Sequence, residues 1–179
     1  MPWLNRWRQD ALSPVAARAA FDSLPSVSLP EVLGDWLGEE LPTGHPLDGL
    51  LAGYGWKGKR FMSADAVDPL VFHRGSGDVA VNPALIPLGV PLAWPRLARS
   101  APARRAFKTL LPALATGRPK ARLRAVAHRG QVSTAMIYDD LPIIDHFRKV
   151  DAGRLLGLMD IRHTEQPYFF LLSRASGGL

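Results

Sequence analysis

Cysteine is absent from this chain. The absence removes disulfides, thiolate nucleophiles and Cys-type structural zinc sites, and it fits a reducing compartment. Long apolar runs are missing too. The longest, ALIPLGVPLAWP at 84–95, falls far short of the ~20 residues of a membrane-spanning helix and is cut by Pro87, Pro91 and Pro95. The N-terminal MPWLNRWRQD carries charge and no apolar stretch of the secretory-signal kind. A soluble, cytoplasmic protein is the expectation. Acidic residues are missing from one region. None stands between Asp78 and Asp139, where Arg96, Arg99, Arg104, Arg105, Lys108, Arg118, Lys120, Arg122, Arg124 and Arg129 lie. The net charge of +6 is therefore concentrated in the middle of the chain. The plain reading is a solvated face; the sharper one is an anionic partner, such as a lipid headgroup or a nucleic acid. The segment GRPKARLR (117–124) lacks the interleaved aromatics that stack bases, which argues against nucleic acid. No G-x-S-x-G, phosphate loop or Ser/His/Asp signature is present.

What is present is a core-forming composition broken into short pieces. The 179 residues are 47% apolar, enough for one domain with a core. Sixteen glycines and sixteen prolines favour turns and short elements over a helical bundle. Near the N-terminus, Ser13 followed by Pro14 reads as the start of a helix. Residues 31–41, 56–63 and 69–74 read as strands, with a short extra strand near Val79–Asn82. A turn and short helix lie between Pro46 and Gly55. Six prolines between 83 and 117 exclude strands there. A loop over 83–95 and short helices within 96–116 are expected, one of them amphipathic through Phe107, Leu110, Leu111 and Leu114. From 120 the period becomes two: Lys120, Arg122 and Arg124 alternate with Ala121, Leu123 and Ala125. Strands at 120–126, 131–138, 143–150, 154–161 and 168–174, joined by short turns, form an antiparallel meander. The expected fold is mainly β: a single domain over 1–179 built on a roughly eight-stranded antiparallel barrel, with an N-terminal helix and a Pro-rich helical insertion at 83–117 between halves 22–82 and 118–175.

Two stretches carry a family likeness. Gly34-Asp35-Trp36-Leu37-Gly38, with ELPTGHPLDGLL (40–51) and WKGKRF (56–61), resembles the GXWXG family of bacterial proteins. AMIYDDLPIIDHFRKVD (135–151) and LLGLMDIRHTEQPYFFLLSR (155–174) resemble the domain of unknown function usually joined to it. This likeness implies no activity. A weaker resemblance is to lipocalin-like barrels. It implies that Trp36 plugs one barrel end, that Gly34 and Gly38 allow the strand to bend, and that Arg174 on the last strand stacks on the indole.

Chemistry is less clearly marked. The histidines His45, His73, His128, His146 and His163 show no i, i+2 or i, i+4 pairing, so no metal motif appears. His146 follows Asp145 on an apolar strand, where neighbours point to opposite faces. It is read first as a surface or hydrogen-bonded core histidine, and second as a general base or haem ligand, since haem-binding barrels of the nitrobindin type are similar. Asp48 and Thr43 near His45 suit amide capping, and His45 a ligand portal. Asp139 and Asp140 suit a turn. Asp160 is either outward and solvated or inward and paired with Arg122, Arg124 or Arg148. Leu123, Met136, Ile144, Met159 and Phe170 are expected to line an interior. The ligand-facing candidates are His45, Trp56, Tyr138, Asp145, His146 and Asp160. The expected function is binding of a small apolar or amphipathic ligand, a fatty acid or other lipid, without a cofactor. The alternatives are a haem barrel, or an isomerase or lyase using an Asp145/His146 pair. Enzymatic activity stays open, with binding favoured. Peripheral contact with an anionic membrane through 96–114 and a homodimer through the YFFLLSR edge are further partner expectations; a closed barrel removes the latter.

Overall fold

A computed structural model describes residues 2–75, 77–87, 89–162 and 164–175; His163 lies outside them. Eight strands close into an antiparallel barrel. β1 (Gly34–Leu41) pairs with β2 (Trp56–Phe61), β2 with β3 (Val67–Arg74), and β3 with β5 (Ala121–His128). β5, β6 (Gln131–Tyr138), β7 (Ile143–Asp151), β8 (Arg154–Ile161) and β9 (Tyr168–Arg174) then follow as a meander, and β9 returns to β1. The short β4 (Gly77–Ala80) hangs on β3 outside the ring. Both edges of β9 are used, so the edge-to-edge dimer route is closed.

The meander opens on the period-two pattern. On β5, Ala121 and Leu123 are buried while Arg122 and Arg124 are exposed. Arg129 and Gly130 both take positive φ, 50° and 78°, the tight hairpin turn that joins β5 to β6. Two expectations need correction. Residues 31 and 32 are helical rather than strand. They belong to α3 (Leu29–Val32), because the Glu31 carboxylate accepts from the Ser28 amide and hydroxyl and nucleates a turn. The stretch 83–95 is not all loop: it holds a 3₁₀ turn (Pro83–Leu85) and α5 (Gly89–Ala93). Proline is tolerated at the first turn of such short helices, where its missing N–H has no partner to lose.

Outside the barrel, α1 (Pro2–Gln9) and α2 (Pro14–Asp22) cover the outer face of β7–β9. Ser13 Oγ accepts from the Ala16 amide, capping α2 as its sequence implies. Trp7, Phe21, Leu156, Phe169 and Leu171 form the buried layer between them. On the mouth side sit α4 (Leu50–Tyr54), α6 (Pro95–Ala98) and α7 (Ala101–Leu114). Tyr54 donates to Ala98 O, Arg99 donates to the carbonyls of Pro46 and Asp48, and Phe107 packs on Tyr54 and Phe72. The insertion is thus a cap fixed to the barrel rim. No helix among the described residues is long and apolar enough to cross a membrane.

Candidate functional site

The barrel has a closed end and an open end. At the closed end Trp36 is 2% exposed; its Nε1 donates to Val32 O at 2.7 Å, and the Arg174 guanidinium lies 4.4 Å above the indole. Arg174 also donates to the carbonyls of Leu33 and Glu31. The plug and its covering arginine are therefore as the lipocalin likeness implies. Gly38 has a different role from the bending expected of it. A Cβ there would lie 2.2 Å from the Trp56 ring, so the glycine is the floor on which that indole rests.

Toward the open end is a narrow apolar cavity of about 60 Å³. Leu47, Leu50 and Leu51 from the α4 region, Pro83 and Ile86 from the cap, and Leu141 surround the mouth; Trp56, Ile143, Met159, Tyr168 and Phe170 line the walls. Three polar side chains face it: Lys59, Tyr138 and Asp145. Lys59 Nζ stands 2.8 Å from Asp145 Oδ2, and both side chains are almost wholly buried. The ammonium also donates to Pro69 O at 3.0 Å, lies 3.4 Å from the Tyr138 hydroxyl, and sits over the rings of Trp56, Tyr138 and Phe170 at 5.0–5.8 Å. Asp145 Oδ1 has no hydrogen-bond partner. Burial pushes the Asp145 carboxyl above its usual range, and Lys59 opposes that shift. Burial, then the charge of Asp145, push the Tyr138 phenol well up. Tyr168 is pushed up by burial and by Glu40, to which its hydroxyl donates.

Sequence reading missed Lys59, and the cause is local. Strict alternation from Trp56 puts Gly58 and Arg60 inside and Lys59 outside. The β2–β3 register slips on each side of Gly58, where φ is 150° and a Cβ would strike Trp36 O at 1.9 Å. The bulge turns Lys59 into the barrel beside Trp56 and Phe61. Opposite it, Pro69 has no N–H for the ladder, and its carbonyl is the one that Lys59 takes. The usable signal was a glycine between two lysines in a strand, facing a strand that contains proline.

The expected site residues separate into groups. Trp56, Tyr138 and Asp145 come together in the cavity. His146 and Asp160 do not join them. They face outward on β7 and β8, because their neighbours Asp145 and Met159 face inward. Ile144 likewise lies outside. His45 is 2% exposed in the loop before α4, against Tyr168 at 5.6 Å, and does not line the cavity. Burial lowers its pKa, with Asp48 opposing. Asp48 ties the loop rather than the helix start expected of it: one carboxylate oxygen accepts from the amides of Thr43, Gly44 and His45, while Glu40 accepts from Leu51 and Ala52 at the start of α4.

On the outer face, ring nitrogens of His128 and His146 and a carboxylate oxygen of Asp160 lie within 4.8 Å of one another. The two rings stack 3.7 Å apart and 8° from parallel. Lone pairs of parallel rings run side by side, so one ion cannot take both until the rings splay. Burial first, then His128 and Arg148, lower the His146 pKa to about 3. Arg148, 1% exposed, lies over Phe21 and donates to His128 O. These are features of a packed seam under α2. No histidine among the described residues lines the cavity, which leaves the haem alternative without a ligand there.

The GXWXG protein family matches residues 19–77, and the domain of unknown function DUF4334 matches residues 119–174. A crystal structure of a protein from Thermomonospora curvata is 31% identical over 91% of this chain and 88% of that one, with a TM-score of 0.67. No curated protein matches.

Proposed function

The chain belongs to the GXWXG protein family with its C-terminal DUF4334 domain, and from that premise we propose that its barrel binds a small amphipathic ligand, a fatty acid or other lipid. The observation that carries this reading is the apolar cavity with one buried, internally neutral Lys59–Asp145 pair in its wall. Apolar walls with few placed polar groups are what such ligands need, and buried pairs of this kind suit a ligand's polar end. Trp56, Tyr138 and Tyr168 complete the proposed contacts, with His45 behind Tyr168. Because Asp145 already balances Lys59, a neutral carbonyl or hydroxyl head fits better than a carboxylate. A carboxylate head would leave two acids for one ammonium, so binding it takes up a proton. Fatty-acid affinity is therefore expected to fall as pH rises, while affinity for an alcohol or ketone of equal chain length stays level.

Native mass spectrometry of the purified protein, beside its visible spectrum, tests this. A lipid-sized bound mass without a Soret band is expected, or uptake of added decanol by an empty protein. A protein that is empty and takes up neither decanol nor decanoic acid defeats the reading.

A second reading is favoured by one observation, the solvent-free Asp145 with an unpartnered oxygen. A carboxylate so placed is suited to moving a proton between carbons of a bound unsaturated ketone, with Lys59 and Tyr138 donating to the ketone oxygen. The Asp145/His146 pair is not available for this, since the two face opposite sides of the sheet. Deuterium entry into a β,γ-unsaturated ketone in D₂O, lost in Asp145→Asn, is its test.

A further inference from the structure

The basic middle of the chain divides into two kinds of cation. On β5 and its turn, Lys120, Arg122, Arg124 and Arg129 are each in an ion pair, with Asp140, Asp139, Asp65 and Asp22. On the cap, Arg96, Arg105 and Lys108 are exposed and make no ion pair among the described residues. The same cap holds five of the nine large apolar side chains that are exposed among the described residues. Trp94 is 65% exposed, Leu97 57%, Leu110 55% and Leu85 52%. Burying them in the barrel core is impossible, because the inner face of the cap is already filled by Leu92, Phe107, Leu111 and Leu114. An outward indole and leucines interleaved with unpaired cations, on short helices, are the chemistry of an anionic lipid–water interface.

We propose that the outer face of the cap, α5 to α7 with the 3₁₀ turn before them, docks on anionic membrane surfaces. Trp94 and Leu97 enter the headgroup boundary, and Arg96, Arg105 and Lys108 meet lipid phosphates. The docked face lies over the cavity mouth: Leu85 faces out between Pro83 and Ile86, which line the cavity. The proposal does not rest on what the cavity holds, because vesicle binding is read without any added ligand.

The test is co-sedimentation of the full chain with vesicles of phosphatidylcholine alone and of phosphatidylcholine mixed with phosphatidylglycerol, at low and at physiological salt. Binding to the mixed vesicles only, weakened by salt, is expected, with tryptophan quenching by brominated acyl chains that disappears in Trp94→Phe. The pair Trp94→Ser/Leu97→Ser and the pair Arg105→Glu/Lys108→Glu are each expected to lower partitioning more than about tenfold. The pair Arg122→Glu/Arg124→Glu changes net charge equally but sits on β5, and is expected to leave most of the binding. These positions are exposed, so a circular-dichroism spectrum like the parent's accompanies each result. No sedimentation with mixed vesicles at low salt overturns the proposal. So does equal loss from the β5 pair, which would make net charge the cause. A dimer in analytical ultracentrifugation that Trp94→Ser dissolves would assign the face to a second copy, and binding to duplex DNA without binding to vesicles would assign it to nucleic acid.

Discussion

Gly38 and the Trp56 indole occupy one space. Adding a methyl at 38 drives a Cβ into the ring, and the ring cannot retreat without entering the cavity. Gly38→Ala is expected to destabilise by about 1–3 kcal/mol, the usual cost of overpacking, and to lower ligand uptake; urea denaturation and native mass spectrometry check the two effects. The Lys59–Asp145 pair makes a second residue-level prediction. Asp145→Leu or Lys59→Met alone strands a buried charge and is expected to cost about 3–5 kcal/mol. The double variant is expected to cost less than either single one, which a double-mutant cycle measures. Single residues were unevenly legible. Trp36 and Arg174 could be read because a plug and its cover need only one strand's identity each. Lys59 could not, because which way it faces is decided by a slip between two strands. His146 and Asp160 were misplaced for a related reason: alternation says that they face away from Asp145 and Met159, but not which of the two faces is inside.

Among the elements, the seam under α2 is the one that pH reaches. His146 keeps its ring neutral at pH values where the unfolded chain's histidine is charged. A folded-state pKa below the unfolded one gives stability that is present above pH 6.5 and lost as pH falls toward about 3. His45 and His128 shift in the same direction through burial. The acid limb of the stability curve is therefore expected to begin near pH 6.5, with His146 contributing a slope of at most about 1.4 kcal/mol per pH unit. His146→Leu flattens that limb, and thermal melts across pH 4–8 record it. The meander was readable at this scale because β5 begins with alternation and each later strand, though buried on both faces along much of its length, is bounded by turn residues. In the insertion the amphipathic helix at Ala101–Leu114 was readable from its spacing, whereas the short helical turns before residue 95 were readable only as non-strand. Its prolines exclude a ladder, yet they also sit comfortably at the first turn of short helices, and no local rule separates such helices from loop.

At the scale of the molecule, the barrel joins two halves that are distant in sequence. The antiparallel order and approximate strand number were legible from spacing and turns. The closure was not, since it rests on β1 finding β9 and on a single residue pair, Val67 with Ala121, between β3 and β5. Residues 1–117 produced alone are expected to be insoluble or unfolded, because β1 and β3 would each present an unpaired apolar edge; solubility and amide hydrogen exchange of that fragment check it.

The pairing of β1 with β9 also sets a timetable. On the ribosome, Trp36 emerges long before the strand that covers its far edge and the Arg174 that lies on its ring. The barrel cannot close until that strand has been made. The GXWXG strand stays half-paired until then, with an apolar edge open to association.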